Sequence, residues 1–462
     1  RLVASGIGSK VSGTSACMEV PDQASRRPSF SAEGIAMPSQ TFVSSQLVRV
    51  DRDRLWSSLM ELKQFGAYFD EPTGLTGVRR LALSDADVAA RRTCMNWFAE
   101  AGLEVRVDQV GNVFGTRAGR DRALAPVWMG SHTDSVATGG AFDGPLGVLS
   151  SLEAIRAFND AGVQTLRDVE VVIFTEEEGG RFSTDMIGSS VVAGRITLAD
   201  ALACTDAEGK TLGDELVRGG FNGLGEVPGA APHAYVEVHI EQGPTLDRQG
   251  IDLGVVQGVQ GISWQRLILT GQAAHAGATP IDARHDAALV AASAVIELRR
   301  MCDSGDFGRL RATVGVLDLP DGQPNVVPAR AVMTMDLRNP VDADMAKAEH
   351  HIAQFIHEVA RTHGVESAWE RLVKAPAVQF SPDLQDLIAH TATELGLSHQ
   401  PSISGAAHDA QQMASICPAA MIFVPSENGG LSHTPAEYSG PDGCAHGAAV
   451  LANTVRQLAD QS

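Results

Sequence analysis

The stretch GSHTDSVATGGAFDGPLGVLSSL, residues 130–152, places ligand-type side chains between two apolar segments. Before it, Ala125-Pro126-Val127-Trp128-Met129 reads as a buried strand. After it, Leu146, Val148, Leu149 and Leu152 read as the start of a helix packed on a sheet. Between them stand His132, Asp134 and Asp143, with Gly139, Gly140 and Gly144 allowing tight turns. Imidazole and carboxylate groups at the carboxyl end of a strand are well placed to bind a divalent metal. Taken alone, the loop is equally readable as polar turns between a strand and a helix.

Working outward, the chain alternates strands and helices. Residues 168–175 (DVEVVIFT) form another buried strand that delivers Glu176, Glu177 and Glu178 at its carboxyl end. Upstream, Leu55, Leu59 and Leu62 recur at helical spacing, and a helix over 84–101 is capped by Ser84 and stopped by Gly102. Strands at 103–107 and 112–116 join at Gly111. Near Gly254 the order becomes βαββαβ: strand 262–271, an Ala-rich helix 282–301, strands 311–317 and 329–337, helix 342–363 and a strand at 365–369. From Lys374 the earlier pattern resumes with a helix at 382–395, a strand at 420–424 and a closing helix at 444–459. The expectation is an α/β catalytic, metal-binding domain from 46–253 and 373–462, interrupted by a smaller α+β domain at 254–372. Residues 1–45 are rich in Ser, Gly and Ala without apolar periodicity and read as a disordered or leader segment. Glu19, Asp22 and Glu33 argue against a transit peptide.

Composition narrows the function. The 462 residues are 44% hydrophobic and 20% charged, ordinary for a soluble globular protein. No apolar run approaches the roughly 20 residues of a membrane span. With 36 Lys+Arg against 56 Asp+Glu, the formal net charge is −20, which argues against nucleic acid and anionic membrane as partners. Cys17, Cys94, Cys204, Cys302, Cys417 and Cys444 form no CxxC pair and read as free thiols in a reducing compartment, pointing to a cytoplasmic protein.

Three clusters converge on the proposed site: His132, Asp134 and Asp143; the Glu176-Glu177-Glu178 run; and His239 (YVEVHIEQGP) with His433 (GGLSHTPAEYS). Singly, each histidine reads as a satisfied core or surface residue, and the glutamates as a solvated face. Together, five potential ligands at strand ends suit a pair of zinc-like ions about 3.5–4 Å apart.

The blocks GSHTDSV…GGAFDGPLGV, FTEEEGGRF, HIEQGP, HAGATP, PNVVP, DLRNP, SGAAHDA and MIFVPSENGGLSHTPAEY carry a resemblance. The chain resembles the amidohydrolase branch of the dinuclear zinc aminoacylase/carboxypeptidase superfamily: N-carbamoyl-L-amino acid hydrolases, β-ureidopropionases and allantoate amidohydrolases. The resemblance spans about residues 50 to 460. It implies a zinc-peptidase-like catalytic domain with a mixed sheet between helices, interrupted by a ferredoxin-like dimerisation or lid domain. It implies two divalent metal ions per subunit, Zn in the first instance, with Mn, Co or Ni as alternatives. His132 and His239 would bind one metal, Glu178 and His433 the other, and Asp143 would bridge them. Asp134 would orient His132 from behind. Glu177, aligned on the EEG register, would be the general base that takes a proton from metal-bound water and passes it to the leaving nitrogen.

On the substrate side the resemblance implies that Gln242 hydrogen-bonds the ureido or amide end and His275 stabilises the oxyanion. Asn325 would hold polar substrate atoms, Arg338 would clamp a carboxylate bidentately, and Gly405 and His408 would line the pocket. Asn325 is also readable as a turn residue, and Arg338 as the partner of a neighbouring acid. Ala407 stands where a glycine is common and Asn339 where a histidine or aspartate is frequent, both expected close to the pocket. The expected partners are a small ureido or amide substrate with a carboxylate and a second copy of the chain. The homodimer would open and close about hinges near Gly254 and Leu372, with His275 acting in trans. The leading activity is hydrolysis of N-carbamoyl-L-amino acids. Allantoate or N-carbamoyl-β-alanine hydrolysis comes next, then N-acyl amino acid or dipeptide hydrolysis. A metal-free binding or scaffold relative is the alternative from another class.

Overall fold

The computed structural model describes residues 47–462 except Ser183, so the segment 1–45 and Cys17 lie outside the described residues. The other five cysteines are free thiols. Among the described residues no helix is long and apolar enough to cross a membrane.

A nine-stranded mixed sheet organises the larger layer. Its order runs Val378–Gln379, Leu253–Val259, Ala419–Val424, Ala234–Ile240, Val127–His132, Val169–Phe174, Val113–Arg117, Glu104–Val107, with His399–Ser404 paired to Leu253–Val259. The four central strands, from Ala419–Val424 to Val169–Phe174, are mutually parallel. Each is buried along its whole length, which is why they read as near-continuous apolar runs. Their alternating side chains feed two cores. Met129, Val171, Ile173 and Val238 enter the core that also holds Leu149 of Pro145–Asp160 and Leu451 of Pro441–Ala459. Trp128, Val172, Phe174 and Tyr235 point to the opposite face with Met413 and Met421. Because the four strands run in one direction, their carboxyl ends and the loops that follow share one edge.

The smaller sheet is antiparallel, in the order Arg311–Asp318, Arg330–Asn339, Gly261–Thr270, Glu366–Ala375. This is the order that a βαββαβ chain produces when each helix returns over the same face. Ala287–Ser304 and Asp342–Thr362 cover that face, burying Leu267, Leu269, Met333, Met335, Leu298 and Ile352 in a separate core. On the other face Trp264 and Val316 remain exposed.

Several boundaries differ from expectation. Gly254 lies inside Leu253–Val259 of the larger sheet, so the chain passes to the smaller sheet at Gln260. It returns after Ala375, because the last strand of the smaller sheet continues past Trp369 through a bulge near Leu372. The Ala-rich helix begins at Ala287, not Asp282: Asp286 caps it through bonds from Ala288 N and Leu289 N, whereas Asp282 sits in a single 3-10 turn. The hairpin Ala67–Asp70 with Leu75–Val78 was not anticipated.

Candidate metal centre

His132 is the last residue of its strand, and Glu176–Glu178 follow the neighbouring strand, which pairs His132 with Phe174. His239 lies at the end of Ala234–Ile240, opposite Phe423 of the adjoining parallel strand. Asp143 stands two residues ahead of Pro145–Asp160, whose entry turn needs Gly144 at φ 79°. A Cβ at Gly144 would lie 2.4 Å from the His132 ring, so only glycine lets the loop close over that imidazole. Glu176, Gln242 and His433 are left-handed without being glycine, at φ 52°, 52° and 58°. Each costs of order 1 kcal/mol, and their concentration around one cavity is the pattern of a functional site.

These loops converge on Asp143. His239 Nε2 lies 3.1 Å and His132 Nε2 3.6 Å from Asp143 Oδ1, while His433 Nε2 lies 3.5 Å from Asp143 Oδ2 and 3.3 Å from Glu178 Oε2. Among the described residues three compact groups result: His132–Asp143–His239 and Asp143–Glu178–His433, which share Asp143, and Glu237–His239–His408 behind them. The buried Nε2 atoms of His132 and His239 make no aligned hydrogen bond. Their Nδ1 atoms are held by the Asp134 and Ile240 carbonyls at 3.0 and 2.9 Å. Buried imidazoles with one nitrogen tethered to a carbonyl and the other facing a shared carboxylate fit a pair of divalent cations.

The electrostatics agree. Burial pulls the His132 imidazole down to about 4, so it is neutral and able to ligate. Burial also opposes a charge on His239, but Asp143 and Glu237 outweigh it and raise that ring to about 9. Burial raises Glu177 and Glu178 well above the ordinary carboxylate range, and the surrounding carboxylates add to it. Burial brings Asp134 to about 8. Four acids packed this closely cannot all ionise without positive charge between them.

Glu177, Glu178, Asp143, Gln242, His408 and His433 line one cavity of 160 Å³, with Asp185, Ala406 and Ala407. Glu177 Oε2 lies 3.4 Å from His132 Nε2. Gln242 Nε2 donates to Asp143 Oδ2 at 2.6 Å. The His408 ring sits 4.4 Å from that of His239, its Nε2 2.8 Å from Ser404 Oγ. Asp134 is buried behind the site, but its carboxylate stands 3.8 Å from His132 Nδ1. It accepts instead from Glu177 N and Glu178 N at 3.4 and 3.3 Å, so it orders the glutamate turn while its carbonyl holds His132.

The structure does not bring His275, Asn325, Arg338 or Gly405 into the lining of this cavity, although Ala406, next to Gly405, is part of it. His275 and Asn325 are exposed on the short ribbon Ala274–His275 with Val326–Val327 and the loop before it. Arg338 donates to Asp336 and, at 2.9 Å, to Gly405 O. Asn339, expected near the pocket, is a buried turn cap: it donates to Phe307 O and accepts from Val341 N. Two site residues went unremarked. Glu437 is buried beneath Asp143 and accepts from Phe142 N and Asp143 N, and Ser432 bridges it to Asp143 Oδ2. Both stand in the block around His433, where a buried acid four residues past a ligand was the available signal.

The sequence profile of Peptidase family M20/M25/M40 matches residues 128–457, which span every proposed metal-binding residue. The chain belongs to that family. Within it, this M20 chain is 40% identical to an N-carbamoyl-L-amino-acid amidohydrolase of Rhizobium meliloti over 89% of its own length and 97% of the relative's. It is 34% identical to a ureidoglycolate hydrolase of Arabidopsis thaliana, covering 93% and 91% of the two chains. The crystal structure of an amidase of the hydantoinase/carbamoylase family from Burkholderia multivorans superposes with a TM-score of 0.85 at 42% identity, over 90% of this chain and 99% of that one. The mixed sheet with a separate antiparallel sheet is therefore the M20 fold, and the chain is a hydrolase of linear amide C–N bonds.

Proposed function

We propose that the chain hydrolyses N-carbamoyl-L-amino acids, adding one water to the ureido group and releasing the free amino acid, ammonia and carbon dioxide. The observation that carries this is the pair of ligand groups sharing Asp143, with Glu177 beside them, in a chain matching a carbamoyl-amino-acid amidohydrolase nearly end to end. His132 and His239 would hold one cation, Glu178 and His433 the other, and Asp143 both. Zinc suits this nitrogen and oxygen donor set, and manganese, cobalt and nickel are the alternatives. When bound, such a pair supplies Lewis-acid polarisation of the carbonyl and eases deprotonation of water. Glu177 accepts the proton of the attacking water and delivers it to the departing nitrogen. Gln242 lines the same cavity and would orient the ureido end once released from Asp143. Asp134 keeps the glutamate turn in place, and His408 packs against His239 to fix the wall.

His275, Asn325 and Arg338 belong to the smaller sheet and its connections, outside the cavity. The exposure of His275 and Asn325 supports their acting from a second copy in a homodimer, His275 on the oxyanion and Asn325 on polar substrate atoms. Arg338 would exchange Asp336 for the substrate carboxylate as the two sheets close about the connections at Gln260 and Pro376. A related ureido acid is the second reading, favoured by the match to a ureidoglycolate hydrolase. The test is ammonia release by metal-loaded protein from a panel of N-carbamoyl-L-amino acids, N-carbamoyl-β-alanine, allantoate, ureidoglycolate, N-acetyl amino acids and dipeptides. The proposal requires the highest kcat/KM on an N-carbamoyl-L-amino acid. A maximum on ureidoglycolate or allantoate transfers it to the second reading, and a maximum on dipeptides overturns both.

A further inference from the structure

A second cleft, of 230 Å³, lies across the loop from the metal cavity. Arg309, Arg311, Gln260, Glu241 and Ser402 are among its lining residues. Arg311 opens its strand directly opposite Arg338 on the neighbouring strand, so the two side chains share one face of the smaller sheet. Their situations differ. Arg338 is committed to Asp336 and the Gly405 carbonyl. Among the described residues the guanidinium groups of Arg309 and Arg311 make no hydrogen bond or ion pair. Arg311 Nη1 nevertheless comes within 3.6 Å of where a Cβ on Gly405 would stand, so it reaches the back of that loop. The one acid lining the cleft, Glu241, is already used: its carboxylate accepts from Thr245 N and Leu246 N at 3.2 and 2.8 Å. Gln260 adds an amide whose Nε2 rests on Gly405 O at 3.2 Å.

In a chain of net charge −20, two uncommitted guanidiniums in one cleft are a local exception. Both side chains are exposed, so the cleft offers an anion two guanidinium forks, and such a fork matches a carboxylate. We propose that Arg309 and Arg311 form a carboxylate-binding site separate from the metal cavity. The loop between the two spaces explains why such a site matters. Ser402 and Ile403 face the cleft, whereas Ala406, Ala407 and His408 face the metals' cavity, and Gly405 lies between them. A carboxylate drawing on Arg311 and Gln260 pulls on the same turn that positions His408 through Ser404. The carboxylate has two sources, a separate small acid or, in place of the Arg338 clamp proposed above, the substrate's own acid group.

The experiment is calorimetric titration of metal-loaded protein with succinate, which needs no turnover and so stands or falls apart from the ureido reading. Saturable binding is expected for the natural chain, weakened about tenfold or more in an Arg309→Gln/Arg311→Gln double variant. Arg311→Lys restores part of the affinity if charge at this position is what binds, which a misfolded variant would not do. Kinetics then separates the sources: succinate competing with substrate, together with a raised KM in the double variant, identifies the substrate's carboxylate. A change in kcat without competition identifies a separate acid. Absence of saturable binding by the natural chain, or equal binding by the double variant, overturns the site.

Discussion

At Glu177, burial comes first and then the charges of Asp409, Glu178, Asp143 and Asp134, all holding a proton on the carboxyl group. Cations at the two ligand groups would reverse that balance and leave the group ionised, as the proposed base must be. Glu177→Gln keeps the shape and loses the acceptor. It should retain metal while turnover falls by about 10²–10⁴, read by metal analysis beside steady-state kinetics. Glu176 is differently employed, accepting from Arg181 N and Phe182 N within its own turn. If Glu176→Gln abolishes turnover and Glu177→Gln does not, the base has been placed one residue off. Glu437 acts through Asp143, whose backbone N–H it holds, and burial together with the Asp143 charge lifts it to about 7. Glu437→Gln should weaken metal affinity by about 10–100-fold, as loss of an outer partner commonly does, with far-ultraviolet circular dichroism unchanged. An unaltered metal affinity would remove Glu437 from the site.

The elements that position these residues were legible wherever local pattern and tertiary demand agree. The strands Val127–His132 and Val169–Phe174 are buried on both faces, so their apolar runs announce them. Ser84 caps its helix by accepting from Asp87 N, as its place before the run suggested. Leu253–Val259 and His399–Ser404 were not legible. The first carries two glycines and the second a proline among polar residues, and their strand form comes from pairing with each other across the chain. The start of Ala287–Ser304 was misread because Asp282 and Asp286 are equally good caps in sequence. Arg284 decides between them by bonding Ala276 O and Thr279 O, which holds the preceding loop out of the helix. At Gly144 the demand is steric. Gly144→Ala should cost more than about 1 kcal/mol, being strained at positive φ, and displace His132. Denaturant unfolding and metal titration should both register the change. A variant of normal stability and metal affinity would mean that the loop closes another way.

At the scale of the whole molecule, the ligands of the proposed metals come from the larger sheet and three proposed substrate contacts from the smaller sheet and its connections. The family resemblance carried by the motifs proposed thirteen site residues, but which residues meet in one cavity depends on packing that no local spacing encodes. His275 shows this best: its motif reads as catalytic, yet it stands exposed with its Nδ1 accepting from Gly277 N and Ala278 N. Mixing inactive Glu177→Gln with inactive His275→Ala under subunit exchange should restore activity, because some heterodimers hold one site with both residues intact. A mixture that stays dead while exchange is demonstrated assigns His275 to its own chain. The central claim is that Asp143 unites two cation sites that turnover requires. Its most direct test is to strip the protein, add zinc back in measured equivalents, and follow bound metal and ammonia release from an N-carbamoyl-L-amino acid together. Activity should be absent without metal and reach its plateau at two ions per chain; full activity in the stripped protein, or a plateau at one ion, would contradict the account.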